Sequence, residues 1–355
     1  MPTKQALAEL VKLIARAPSA DNSQPWKISH ESQDLRLSYD SARVAGKTFA
    51  ADHPATLLAI GAAVEHGMQG ASDWGMEPQL RLPEEQPDQS GNYAWIRISN
   101  NSQHEVSAEQ HNCYQRHTNR CAYHSTALAA QLLSQLAQMT EGQAQCQIIE
   151  HPETIREASK LVKLATQIRF QRQDAHRMLI DSIRLSPAEA ATGDGLDLAT
   201  LGLPPGGGLF LKAIANWQRM TYLNRFGLFR LLASIDAAPV AKGPALIAIT
   251  GTNDKRGAFD AGRLVTRIWT ELNVQGIAVH PNYVISDQLH QHKNQHLALH
   301  LQRKATELQR SCDKLFNLSE NTTLHMLLRV GYPKQGAVLS QRLPLKAVFD
   351  SSANT

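Results

Sequence analysis

The chain has 355 residues, 42% hydrophobic and 19% charged, a balance that suits a globular protein able to bury a core. That length fits two domains of roughly 100–200 residues each better than one. The net charge is only +4 and its cations are spread along the chain, so it implies neither nucleic acid nor a membrane surface.

Taken in chain order, Leu7, Leu10, Val11 and Ile14 recur at helical spacing and predict an amphipathic helix from Lys4 to Arg16. The helix should stop at Ala17, because a residue before proline resists the helical region. A loop, 18–26, leads into short strands at Trp26–His30 and Leu35–Tyr39. Leu57, Leu58, Ile60, Ala63 and Val64 give an apolar face to a long helix from Asp52 to Met76. Strands over Pro78–Leu82 and Tyr93–Ile98 complete a first module, residues 1–110.

The second module, 111–355, begins with Gln115-Arg116-His117-Thr118-Asn119-Arg120 and continues through a helix at Leu128–Met139, a strand at Ala144–Glu150 and a helix at Glu153–Leu179. Residues 183–240 then interrupt the alternation. They hold Gly193-Asp194-Gly195 and Pro204-Pro205-Gly206-Gly207-Gly208. They also hold Phe210, Leu211, Trp217, Phe226, Leu228 and Phe229, whose content argues for packing and against disorder. Regular order resumes with a strand at Ala245–Thr250, helices at Ala258–Gly276 and Leu289–Cys312, a strand at Leu324–Val330 and a tail, Leu339–Phe349. Gly61 and Gly75 stand 14 residues apart, as do Gly262 and Gly276, each pair bracketing an apolar helix. The element order around the pairs also repeats, which predicts an internal duplication.

Cys113, Cys121, Cys146 and Cys312 show no C-x-x-C spacing, so neither zinc nor a redox dithiol is suggested and free thiols are expected. The opening MPTKQALAELVKL is interrupted by charge, unlike a signal peptide. No run of about 18 apolar residues appears, so no membrane partner is expected and the location expected is cytoplasmic.

Two segments stand out: Pro18-Ser19-Ala20-Asp21-Asn22-Ser23-Gln24-Pro25-Trp26 and Arg116-His117-Thr118-Asn119-Arg120. Both resemble hallmarks of the FMN-dependent nitroreductase superfamily, whose flavin site has an Arg-(Arg/His)-(Ser/Thr)-x-(Arg/Lys) segment and a Pro-Ser-x-x-Asn-x-Gln-Pro-Trp segment. Ser340-Gln341-Arg342 resembles the terminal basic element that reaches the FMN phosphate. Leu328–Pro333 is similar to the strand and turn before that tail. Ala278-Val279-His280-Pro281-Asn282 is similar to the stretch whose backbone lies along the flavin's dimethylbenzene and N5 side. The resemblance implies one FMN held by Arg116, His117, Thr118, Arg120, Pro18, Ser19, Ala20, Asn22, Pro281, Asn282, Ser340 and Arg342. It departs from the family at Ala20, where a second Ser is frequent, and at Ser340, where a Lys is frequent. The family generally works as a homodimer with each flavin contacted by both subunits. Here the arginine-rich element occurs only in the second module and the Gln-Pro-Trp element only in the first, so the two halves make one complete site. The chain thus resembles a fused pseudo-dimer with a lid, like the mycobacterial Acg-type subgroup.

The residue chemistry fits that reading. Arg116, Arg120 and Arg342 offer planar forks that bond a phosphate dianion bidentately. His117 and Thr118 are short polar donors suited to ribityl hydroxyls, and Asn22 carries both an amide donor and an acceptor for an isoalloxazine edge. Hydride chemistry belongs to the flavin, so no catalytic side chain is assigned. The blander readings are a turn with a buried aromatic at Gln24-Pro25-Trp26 and solvated charges at the arginines. His292, His296 and His300 would share one helix face, which suits a solvated polar face better than a metal site. Pro204–Gly208 lacks the Lys-Ser/Thr of a phosphate loop, Gly193–Asp197 lacks a calcium loop's carboxylate spacing, and no Gly-x-Ser-x-Gly elbow appears.

The expected fold is α+β: two tandem nitroreductase-like modules, each a mixed or antiparallel sheet flanked by helices, packed as a pseudo-dimer. The expected function is FMN-dependent oxidoreduction, with hydride passing through flavin N5 between NAD(P)H or an organic substrate and a nitroaromatic, quinone or dioxygen. Two alternatives stand beside it: oxidation of a small alcohol or heterocyclic intermediate in specialised biosynthesis, and flavin sequestration without turnover. The partner is a small-molecule substrate, and the chain is expected as a monomer with an internal pseudo-dimer or as a homodimer.

Overall fold

The computed structural model describes residues 3–100, 106–203 and 205–350; Pro204 of the glycine-rich joint lies outside them. In the first half, α1 (Lys4–Ala15) is capped by Thr3, whose hydroxyl accepts from the Ala6 N–H at 3.1 Å. It buries Leu7, Leu10, Val11 and Ile14. Strands β1 (Trp26–Glu31) and β2 (Asp34–Tyr39) form a hairpin. Then come α2 (Pro54–Asp73), β3 (Pro78–Arg81) and β4 (Asn92–Ile98).

The second half runs through α3 (Ala130–Ala137), β5 (Thr140–Glu141), β6 (Ala144–Ile149), α4 (Pro152–Arg169) and α5 (Gln173–Ser182). Next are α6 (Gly207–Ile214), α7 (Trp217–Arg225), α8 (Leu228–Ala241), β7 (Ala245–Thr252), α9 (Lys255–Val274) and β8 (Ala278–Asn282). The half closes with α10 (Val284–Lys293), α11 (Leu299–Phe316) and β9 (Thr322–Gly331). Finally β10 (Phe349–Asp350) carries the tail back to the first sheet, pairing parallel with β1.

The fold is α+β, as expected, and the two sheets repeat one order. The first runs β10-β1-β2-β4-β3 and the second β5-β6-β7-β9-β8. Within each set of four main strands every neighbour is antiparallel. In each, the long helix α2 or α9 lies between the second and third strands of the chain order. Where β1 and β2 are joined by a tight turn, β6 and β7 are separated by α4 to α8.

Between the sheets, α2 packs on α9. A helix apolar all round must be covered all round, and α2 buries residues on every face from Ala55 to Gly67. Close approach comes from two glycines. A Cβ built on Gly61 would stand 2.1 Å from the Phe259 carbonyl oxygen, and one on Gly262 would stand 2.1 Å from that of Leu58. Buried Glu65 of α2 adds an ion pair across the junction, accepting from Arg263 of α9 at 2.8 Å.

Three sequence expectations change. The helix expected over Glu153–Leu179 is two, because Arg172 leaves the helical region (φ −105°, ψ 124°). Its buried guanidinium instead meets Asp287 at 3.3 Å and Gln288 at 3.1 Å. The helix expected over Leu289–Cys312 is also two, since Gln295 adopts a left-handed φ of 58°. That turn lets α11 fold back and bury Leu301 and Leu308 in the core shared with Ile155 and Leu161 of α4. It also removes the shared face of His292, His296 and His300: the first is on α10, the second in the connection and the third on α11. In the 183–240 insertion, Phe229 is buried, but Phe226 is 76% exposed and Phe210 is also exposed. Aromatic content there does not mean packing throughout. All four cysteines are free, and no described helix is long and apolar enough to cross a membrane.

Candidate functional site

The loop after α1 is held in an unusual backbone. Asp21, Asn22 and Gln24 have φ of 50°, 55° and 48°, a region that costs a residue with a side chain about a kcal/mol or more unless its surroundings impose it. The surroundings do. Ser19 Oγ accepts from the Gln24 N–H at 2.9 Å, Gln24 Oε1 accepts from the Leu343 N–H at 3.1 Å, and Arg43 donates to the Ser23 and Gln24 carbonyls. Trp26 behind the loop is fully buried.

Asn22 is the hub. Its amide donates to the carbonyls of Gly193 (3.3 Å), Gly195 (3.1 Å) and Gln341 (3.1 Å), and Gln24 Nε2 donates to Gly193 O at 2.9 Å. The loop, the start of the insertion and the C-terminal tail therefore meet at one side chain. The sequence reading used both ends of that amide for a ligand. Here the donor end is taken by protein carbonyls, and only the buried Oδ1 has no partner.

Beside this loop, three arginines converge. Arg116 is 3% exposed, lies over the Trp269 ring at 4.3 Å, and its Nε and Nη1 have no hydrogen-bond partner. Arg16, just past α1, reaches the carbonyls of Tyr114 (3.3 Å) and Ser340 (3.4 Å). Arg342 donates to the Arg16 carbonyl at 3.4 Å, and its Nε has no partner. Among the described residues none of the three makes an ion pair. Burial first, then the neighbouring Arg16, pushes the Arg116 pKa down to about 9. Burial, then Arg16 and Arg116, pushes that of Arg342 far below its ordinary value. His66 of α2, fully buried, donates through Nδ1 to Leu13 O at 2.9 Å and leaves Nε2 unpartnered, its pKa held at about 3 by burial and the Arg116 charge. Like charges gathered out of water without a counter-charge are unfavourable, and a bound dianion reverses that balance.

The other expected residues are placed differently. Arg120 donates to Thr200 O at 3.1 Å and faces Asp21 and His280, not the arginine cluster. His117 is tied by its N–H to Asn273 Oδ1 (2.8 Å), and its carbonyl accepts from Trp269 Nε1 (2.9 Å). Thr118 is half-buried. Asn119 bonds Val279 O on β8 at 3.0 Å, which brings this segment alongside Pro281 and Asn282. Pro281 sits on an edge strand, where a missing N–H is tolerated, and the Asn282 amide turns back to His280 O at 3.2 Å. Pro18, Ser19 and Ala20 are half-buried at the loop's start, and half-buried Ser340 lends its carbonyl to Arg16.

Sequence reasoning missed Arg16, His66 and Trp269. The only local signal for Arg16 was a charge closing an apolar helix two residues before Pro18. It also missed a group at the end of β8: the His280 Nδ1, Tyr283 hydroxyl, Ser286 Oγ and His53 Nε2 are all buried without hydrogen-bond partners, the last 3.8 Å from Asp287 Oδ1. His53 caps α2 through Nδ1 (3.1 Å to Ala55 N), stacks on Phe49 at 4.3 Å, and meets His290 edge-on at 4.5 Å. Such unpaired polar groups suit a polar ligand better than an apolar one.

No family model matches the chain, and no curated protein matches it. Among solved structures it is similar to a nitroreductase with bound FMN from Bacteroides fragilis, at 12% identity over 66% of this chain and 92% of that one, with a TM-score of 0.36. It is similar to the FMN- and NADPH-dependent nitroreductase NfnB from Sphigopyxis sp., at 14% identity over 69% and 98%, with a TM-score of 0.38. It is also similar to the FMN-dependent nitroreductase NfnB from Mycobacterium smegmatis in complex with NADPH, at 14% identity over 67% and 94%, with a TM-score of 0.39. Likenesses this distant define neither family nor activity.

Proposed function

We propose that the chain is an FMN-dependent oxidoreductase of nitroreductase type, in which one flavin lies where the two halves meet. The observation that carries this reading is the convergence of Arg16, Arg116 and Arg342 without a carboxylate, beside the loop 18–26. That donor set fits a phosphate dianion: planar guanidinium forks with unpaired N–H groups. The Asn22 Oδ1 can accept from a ring N–H. Arg120, Pro281 and Asn282 would border the ring, and His117 and Thr118 the ribityl chain. When bound, FMN supplies the hydride carrier between NAD(P)H or an organic substrate and an acceptor such as a nitroaromatic, quinone or dioxygen. The unpaired His280, Tyr283 and Ser286 groups would orient a small polar substrate.

The repeated strand order and the reciprocal glycine contacts support a division into modules 1–110 and 111–355 that originated as a fused pseudo-dimer with a lid. A cytoplasmic location and a monomeric or homodimeric state belong to the same proposal.

A second reading, flavin sequestration without turnover, draws support from Asn22, whose bonds to Gly193, Gly195 and Gln341 tie the insertion over the loop. Absorbance spectra taken before and after anaerobic NADPH, then NADH, separate the two. A bound flavin that bleaches supports the reductase. A bound flavin that stays oxidised supports sequestration or oxidation of a dedicated substrate. No flavin after incubation with FMN overturns the cofactor assignment.

A further inference from the structure

The small net charge conceals a local imbalance. Within 203–243 stand five cations, Lys212, Arg219, Arg225, Arg230 and Lys242, and one carboxylate, Asp236. All five cations are exposed. Asp236 is turned inward, accepting from the Thr166 hydroxyl at 2.6 Å. Among the described residues, α6 to α8 therefore present five exposed cations and no exposed carboxylate of their own; beside Arg230, Lys304 of α11 adds a further cation, with Glu307 next to it.

The same three helices and the turn between them also expose apolar side chains. Leu209 is 75% and Phe226 76% exposed, and Tyr222, Leu231 and Ile235 are each more than half exposed. The spacing orders them. Arg219 and Tyr222 on α7 and Phe226 at its C-terminal cap lie three and four residues apart, with the Tyr222 and Phe226 rings 5.3 Å apart edge to face. Leu231, Ile235 and exposed Ala238 form a stripe on α8 that ends at Lys242. The opposite stripe of α8, Phe229, Ala233, Ala237 and Val240, is buried. This helix thus has one apolar stripe for its own core and a second that none of the described residues covers.

Exposed aromatic and aliphatic side chains flanked by Arg and Lys whose stems can extend along them are the chemistry of a surface that lies in a lipid interface. A second copy is a poor occupant: a two-fold contact sets each patch against itself, so five cations would face five. We propose that the outer face of α6–α8 docks on an anionic bilayer surface, with Leu209, Tyr222, Phe226, Leu231 and Ile235 entering the interface and the five cations meeting lipid phosphates. This proposal departs from the expectation of no membrane surface. That expectation averaged over the chain a charge that the fold concentrates, and the proposal is independent of the flavin reading.

The test is co-sedimentation of the full-length protein with vesicles of phosphatidylcholine alone and of phosphatidylcholine with about one third phosphatidylglycerol. The protein should pellet with the anionic vesicles at about 50 mM salt and be released at about 500 mM. Arg225→Gln and Arg230→Gln should each weaken partitioning about fivefold. Phe226→Asp with Leu231→Asp should abolish it while the circular dichroism spectrum and melting temperature hold. Absence of binding to anionic vesicles at low salt, equal binding to neutral ones, or binding that survives all these substitutions overturns the proposal. A lipid-free dimer in sedimentation velocity that Phe226→Asp with Leu231→Asp dissociates also overturns it, and assigns the face to a second copy.

Discussion

Gly61 and Gly262 are each other's counterpart. A shift of 201 residues carries Gly61 onto Gly262, Leu58 onto Phe259 and Gly75 onto Gly276. Gly61 meets the Phe259 backbone and Gly262 meets the Leu58 backbone at the same 2.1 Å from a built Cβ, while Gly75 and Gly276 end their helices in the left-handed region. Reciprocal contact under one shift is what a two-fold interface requires of identical subunits.

The glycine contacts predict an inverted sign. Replacing a glycine inside a helix by alanine ordinarily stabilises by up to about 1 kcal/mol. Gly61→Ala and Gly262→Ala should each cost about 1–3 kcal/mol, because the methyl collides with backbone that cannot step aside. Urea denaturation measures both. A gain in stability at either site would show that the helices have room to part.

For the arginine cluster, Arg16→Gln, Arg116→Gln and Arg342→Gln should each weaken FMN binding about 10- to 100-fold, since a bond to a charged group contributes about 1.5–3 kcal/mol. The same substitutions should hold or raise the melting temperature of the flavin-free protein by relieving like-charge repulsion. Fluorescence titration and thermal melts report the two effects. Lower stability with unchanged binding would make the cluster a structural device.

Asn22→Leu removes an amide whose two N–H groups are shared among three carbonyls and join the loop to the insertion and the tail. The expected results are a loss of about 1–3 kcal/mol, faster proteolytic cleavage within 186–206, and reduced flavin retention. Unchanged proteolysis would mean that other contacts hold the insertion down.

Acid should destabilise the fold through His66. Its folded pKa of about 3 lies below the ordinary 6.5, so as pH falls the unfolded chain takes up a proton first. The stability from this group is full above about pH 6.5 and drains away between there and pH 3. His53, also pushed down to about 3 by burial, acts in the same direction. The urea midpoint should fall between pH 7 and pH 4.5, and His66→Gln should flatten that fall. An identical slope in the variant would place the titration elsewhere.

Much of this protein was written locally. The apolar spacing of Leu7 to Ile14, the alternation in Leu35–Tyr39 and the continuous run Ala245–Thr250 located their elements to within a few residues, because a buried face imposes its own period on the chain. The glycine pairs marked the two long helices that hold matching places in the two strand orders. The sequence already set Arg116 and Arg342 on one phosphate through a family resemblance; that Arg16 joins them and Arg120 does not was not legible, since guanidinium groups from distant segments meet only after both halves and the tail have packed. The breaks at Arg172 and Gln295 were likewise hidden: helical periodicity continues through both, and a partner on another helix or a fold-back onto the core overrides it. Periodicity tells a residue that it will be covered. Which group covers it, and which charges are left to face one another, is decided by the tertiary structure alone.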